Sequence, residues 1–302
     1  MASLAPGVVP ALALVLNAFV WGVSWWPFRQ LQAQGLHPLW ATALIYVLSM
    51  VLLSALRPRA WRGFGSQPLL WLLMAAAGLT NVGFNWAVTT GDVVRVVLLF
   101  YLMPAWTVVL AWPLLGERPT PLSLLRLAMA MTGVAIVLKT VDSPWPLPES
   151  AADWLALMGG VSFALTNILL RKARGLDAAP RILAMFAGGA VLAGAAGLLG
   201  MALGVLAPPP APQAGWAAAG LALSLGFLAS NVALQYGASR INAPAAALIM
   251  LSEVVFASLS SVALGAAEMS LRTWVGGALI LAAAAWSAWP AGAGERARLG
   301  AQ

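Results

Sequence analysis

Apolar runs of about 20 residues follow one another along almost the whole chain, separated only by short polar connections. A helix needs about 20 such residues to cross a hydrocarbon layer roughly 30 Å thick. Inside lipid every backbone polar group must be satisfied within the segment, so each run must be helical. The runs fall at about 8–28, 38–56, 68–90, 93–115, 121–141, 151–170, 181–206, 214–237, 242–264 and 272–290. Arg57-Pro58-Arg59, Gly116-Glu117-Arg118-Pro119, Ser143-Pro144-Trp145-Pro146 and Pro208-Pro209-Pro210 punctuate them as breaker signals. Only Gly91-Asp92 and Arg95 part the third run from the fourth. The expected fold is an all-α membrane protein of ten transmembrane helices.

Composition agrees. Of 302 residues, 62% are hydrophobic and 8% charged, where soluble chains carry about 25% charged residues. The net charge of +7 comes from basic residues scattered singly between apolar runs. That pattern suits membrane-flanking loops, and a nucleic-acid partner is not expected. There is no cysteine, and His37 is the sole histidine, placed in a short outer loop. Zinc, haem and iron–sulfur sites lack their usual ligands, so no metal or cofactor is expected. No Walker A motif, His-Glu-x-x-His motif or Ser-His-Asp set is present, so neither ATP hydrolysis nor catalysis is expected. The first run has no basic n-region and no A-x-A-like site at its end, and reads as a retained span.

Placing the N-terminus in the cytoplasm and alternating sides puts 12 of the 16 Lys and Arg inside and 4 outside. The outer four are Arg29, Arg95, Lys139 and Arg272. The positive-inside rule predicts such a bias when span count and orientation are both right. A cytoplasmic (inner) membrane with both termini inside is expected. Trp25, Trp26, Trp40, Trp61, Trp145, Trp216 and Trp289 lie near run ends, as interfacial anchors do.

The halves repeat. Gly22-Val23-Ser24-Trp25 matches Gly160-Val161-Ser162-Phe163, Asn85-x-Ala87 matches Asn231-x-Ala233, and Leu114-Leu115-Gly116-Glu117 matches Leu264-Gly265-Ala266-Ala267-Glu268. Five spans per repeat is an odd number, so the second copy inserts upside down. Inverted repeats place substrate at their interface near the midplane. The expected organisation is a first repeat over 1–142, a second over 150–290 and a cytoplasmic tail over 291–302.

The run from Leu102-Met103-Pro104 to Gly116-Glu117-Arg118-Pro119-Thr120, with the span reaching Gly133, resembles the EamA repeat of the drug/metabolite transporter superfamily. Ser252-Glu253-Val254-Val255-Phe256-Ala257 resembles the same element in the second repeat, with Val254 where the family often has proline. The resemblance implies ten helices, a central cavity and alternating access by rocking bundles. Many relatives export amino acids or other metabolites. Relatives that export aromatic amino acids have a Tyr matching Tyr101, with further aromatics, here Trp21, Trp86, Trp106 and Phe163, around the cavity.

Polar residues at membrane depth tend to face the bundle interior. They are Asn17, Tyr46, Asn81, Asn85, Tyr101, Thr166, Asn167, Asn231, Gln235, Tyr236 and Glu253. Asn81 and Asn85 share a helix face, as do Asn231 and Gln235. These faces are expected to form opposite walls of one cavity, with Tyr46, Tyr101, Trp21 and Phe163 as further substrate contacts. The alternative is that the amides bond neighbouring helices. Glu253, the one acidic residue central to a run, is the candidate for a coupling proton, a substrate ammonium or a structural bond. Pro104 is expected to kink its helix, Gly188 to Gly200 to permit close packing, and Arg95 to snorkel or to stand at an outer gate.

The expected function is secondary transport, as an exporter, of a small metabolite such as an amino acid, aromatic ones first. Nucleosides, sugars and drug-like cations are the alternatives. A membrane-embedded enzyme or a lipid scramblase ranks behind them. The expected partners are the substrate, the lipid bilayer and a coupling proton.

Overall fold

The computed structural model describes residues 8–64, 66–90, 93–138, 148–212, 214–265 and 271–288. Lys139, Trp145, Glu268, Trp289, the tail from 291 and the Arg95 side chain lie outside the described residues. Every regular element among the described residues is helical. They are α1 (Val8–Ala33), α2 (Pro38–Leu56), α3 (Pro68–Thr90), α4 (Val93–Phe100), α5 (Met103–Leu115), α6 (Pro121–Leu138), α7 (Ala151–Lys172), α8 (Ala178–Ala202), α9 (Ala214–Ala238), α10 (Ala243–Met250), α11 (Ser252–Ala263) and α12 (Leu271–Ala288). Short 3₁₀ turns cover Pro58–Gly63 and Ala173–Gly175.

Seven segments are long and apolar enough to cross a membrane: α1, α2, α3, α7, α8, α9 and α10 together with α11. Shorter apolar helices correspond to α5, α6 and α12. Leu12, Val51, Leu72, Leu198 and Trp274 are exposed on the outer surface, which is how a chain looks when hydrocarbon is its solvent.

Two sequence expectations are corrected here. The fourth run, expected as one helix over 93–115, breaks at Tyr101–Leu102 into α4 and α5. Pro104 lies in the first turn of α5, just past the break. Having no N–H, it cannot bond the Phe100 carbonyl four residues back. The Leu102 N–H turns instead to Leu99 O, at 3.3 Å. The ninth run tightens at Leu251, whose N–H is shared between Ala247 O and Leu248 O. There the Ser252 hydroxyl donates to Ile249 O at 2.8 Å, competing with the regular ladder.

Helix starts follow from local chemistry. Ser150 and Asp153 form a reciprocal capping box on α7. The Asn242 side chain accepts from the Ala245 N–H at 2.9 Å and caps α10. Gly116 ends α5 in the left-handed region, at φ 73°, which glycine enters without a Cβ penalty.

The two halves of the chain interleave. α3 packs on α7 and α8, α1 on α9 and α11, α2 on α8 and α9, α5 on α7 and α10, and α6 on α12. Exchanging the halves turns α3–α7 into α9–α1, and α3–α8 into α9–α2, while α2–α8 and α6–α12 map onto themselves. Between apolar helices in lipid, association depends on close contact rather than on exclusion of water. Glycines supply it. A Cβ on Gly83 would stand 2.7 Å from Leu155 O, and one on Gly133 2.7 Å from Gly276 O. The matched pair Gly22 and Gly160 seats α1 and α7 against the two broken runs. A Cβ there would lie 2.8 Å from Glu253 O and 2.8 Å from Phe100 O respectively.

Candidate substrate cavity

A cavity of ≈ 80 Å³ lies in the centre of the bundle. One water needs about 10–15 Å³ of such space, so there is room for several waters or for part of a small solute. Its walls come from both halves: Trp21 of α1, Tyr46 of α2, Asn81, Phe84 and Asn85 of α3, and Phe100 of α4 on one side. Phe163 and Thr166 of α7, Met185 of α8, Asn231 of α9 and Glu253 of α11 complete it.

α3 contributes its face through register alone. Ala77, Thr80, Asn81, Phe84 and Asn85 all line the cavity, at the spacing of one helical stripe. The Tyr46 hydroxyl donates to Asn81 Oδ1 at 2.9 Å. Asn81 Nδ2 donates to Ala77 O at 2.8 Å, and Asn85 Nδ2 to Thr42 Oγ1 at 2.6 Å. On the opposite wall, Gln235 Nε2 donates to Asn231 Oδ1 at 3.1 Å. Asn81, Asn85 and Asn231 therefore face one space, with Gln235 behind Asn231, while each also spends part of its capacity on neighbours.

Rings form the rest of the wall. Trp21 stacks on Phe227, with centroids 4.5 Å apart. Phe100 meets Phe84 at 4.7 Å and Phe163 at 6.0 Å. Glu253 sits in the first turn of α11, where a helix N-terminus favours negative charge. It is half-buried and accepts a hydrogen bond from the Tyr101 hydroxyl.

Of the residues singled out in the sequence, Trp21, Tyr46, Asn81, Asn85, Phe163, Thr166, Asn231 and Glu253 line the cavity. Gln235 and Tyr101 stand behind the wall, holding Asn231 and Glu253. Trp86 packs instead with Leu39 and Val82, and Trp106 is not among the lining residues. Tyr236 is turned outward beneath Arg240, whose guanidinium lies 3.8 Å from its ring centroid. Asn17 ties α1 to α9 by donating to Ser230 Oγ at 2.6 Å. Phe84, Phe100 and Met185 escape sequence reasoning because an apolar side chain in an apolar run carries no signal of its own. Phe84 alone had a clue, being one turn from Asn81.

At one end of the bundle Glu117 joins elements of both halves. Its carboxylate pairs with Arg171 Nε at 3.4 Å and accepts the Ala243 N–H, at the start of α10, at 3.0 Å. Arg171 Nη1 also donates to Ser239 O at 2.9 Å.

Comparison with known proteins bears on this arrangement. The EamA-like transporter family matches residues 9–139 and again 150–289. A curated relative, an uncharacterized transporter of Pseudomonas aeruginosa, is 30% identical over 129 residues. That alignment spans 41% of each chain. A solved crystal structure superposes with a TM-score of 0.73 at 19% identity, over 92% of this chain and 96% of its own. At that identity it speaks for the fold alone.

Proposed function

As the chain belongs to the EamA-like transporter family and is a multi-pass membrane protein, we propose that it is a secondary transporter exporting a small amphipathic metabolite by alternating access. The observation that carries this reading is the central cavity, walled by side chains from both family-matched halves. A site between two such halves opens to one side and then the other when they rock.

In this reading the ten apolar runs are ten spans, with α4 and α5 forming one and α10 and α11 another. The second repeat is inverted, and both termini face the cytoplasm of an inner membrane. The contact pattern, which maps onto itself when the halves are exchanged, supports the repeat. The Glu117–Arg171–Ala243 junction then lies at the cytoplasmic mouth among the basic loops, and opening that mouth requires it to part. The amides and rings of the cavity suit an aromatic molecule of about amino-acid size. Glu253 is the group through which a proton gradient acts.

Uptake of labelled amino acids, amines, nucleosides and sugars into proteoliposomes, with and without a pH gradient, tests this. Saturable uptake of one class, with counterflow of labelled substrate, is the expected result. Loss of only the gradient response in Glu253→Gln places proton coupling at that carboxyl. Flux without counterflow in sound vesicles indicates a channel or scramblase instead. Conversion of the substrate to a new species indicates an enzyme.

A further inference from the structure

The cavity wall carries one formal charge, and it is negative. Among the described residues lining the cavity, Glu253 is the only acid, and no Lys, Arg or His accompanies it. A carboxylate at membrane depth needs a compensating partner. Its hydrogen bond comes from the neutral Tyr101 hydroxyl.

The neighbouring hydroxyl donors are engaged within the protein. The Tyr46 hydroxyl is given to Asn81, and Thr166 Oγ1 donates to Ser162 O at 2.9 Å. Thr80 Oγ1 likewise donates to Ala76 O at 2.9 Å. A hydroxyl that has spent its proton is left with lone pairs. Among the described residues the wall offers no cation to receive an anionic group; its remaining donors are neutral N–H groups of Trp21 and of the Asn81, Asn85 and Asn231 amides. Aromatic faces from Trp21, Phe100 and Phe163 complete the enclosure, and such faces attract ammonium groups.

Resting on the carrier reading above, we propose that this cavity selects organic cations: a protonated amine on an apolar or aromatic body, with its ammonium on Glu253 and no cationic subsite for a carboxylate. An amino acid binds here less well than the amine that lacks its carboxyl group, because that group meets no positive partner while it is desolvated. The preferred cargo is then the product or substrate of reactions that remove or add a carboxyl group next to an amine.

The test uses the purified full-length protein and four probes with one ring: phenethylamine, phenylalanine, 3-phenylpropionate and 2-phenylethanol. Binding is read by calorimetry, and transport separately by counterflow. Wild type is expected to bind phenethylamine about tenfold or more tighter than phenylalanine, and 3-phenylpropionate weakest of all. In Glu253→Gln the ratio of phenethylamine to 2-phenylethanol affinity is expected to fall about tenfold, and in Glu253→Asp to recover in part. The ratio is read within one protein, so it does not depend on how much of a variant folds, and the wild-type series stands by itself if the variant does not fold. Equal or tighter binding of phenylalanine overturns the proposal and returns the site to zwitterions. So does an unchanged ratio in Glu253→Gln, or binding of none of the four by cooperatively melting wild type. Cation binding without counterflow upholds the cation site and overturns the carrier reading instead.

Discussion

His37 sits at the turn into α2, where its Nδ1 accepts the Leu39 N–H at 3.2 Å. It is therefore a helix cap, a more specific role than the loop position expected from sequence. Burial holds its pKa below the ordinary 6.5. Protonation removes the acceptor and places positive charge at a helix N-terminus, which the helix dipole disfavours. The frayed form thus binds the proton more readily than the capped form. The cap's contribution is full above pH 6.5 and is lost as the pH falls from there through the folded value. Hydrogen exchange at the Leu39 amide, corrected for intrinsic rate, should show protection falling below pH 6.5 in wild type. Protection should stay flat in His37→Asn, which caps without titrating. A flat profile in both would mean that the imidazole bond does not hold the helix start.

Between elements, the close approaches are made by glycine. On α8, Gly188 lies against the Met74 carbonyl and Gly78 of α3, and Gly189 lies beneath the Tyr46 ring. Gly194, on the same helix, has nothing within 4 Å of a would-be Cβ. Gly188→Ala must push backbone aside, and should cost roughly 1–3 kcal/mol as overpacking, read as a lowered melting temperature in detergent. Gly194→Ala should melt unchanged or slightly higher, since alanine favours helix over glycine. Equal melting of the two variants would show that the α3–α8 seam yields freely, and with it the wall that holds Asn81. The glycine run was visible in the sequence as a packing signal. Which glycine meets which helix was not, because contact depends on how two helices are rotated about their axes.

For the whole molecule, inverted insertion makes a statement about sides. The loop between α2 and α3 and the loop between α8 and α9 are repeat-related, so the proposed inverted insertion puts them on opposite faces of the membrane. The chain has no cysteine, so single cysteines can be placed without background. A cysteine at Arg59 should react with an impermeant maleimide only after the cells are permeabilised, and one at Ala207 should react in intact cells; both positions are exposed. Labelling from the same side would remove the inverted repeat and the alternating-access scheme built on it.

The sequence by itself determined the solvent, the helical class, the duplication and the family, because each is written in one-dimensional quantities: run length, charge spacing and matched motifs. It also marked most polar members of the cavity, since an amide or carboxyl within an apolar run is costly unless it faces inward. Tertiary structure alone decided the rest. Phe84, Phe100 and Met185 join the wall because of helix rotation, which leaves no trace in composition. Tyr101 and Gln235 were drawn behind the wall by the partners they met there, Glu253 and Asn231. The fourth run broke at Tyr101–Leu102, ahead of Pro104, because the freed Phe100 carbonyl had Gly160 of the other repeat against it. That no positive charge stands beside Glu253 among the described residues lining the cavity is likewise a property of the assembled fold, for only folding decides which of the scattered basic residues come near it.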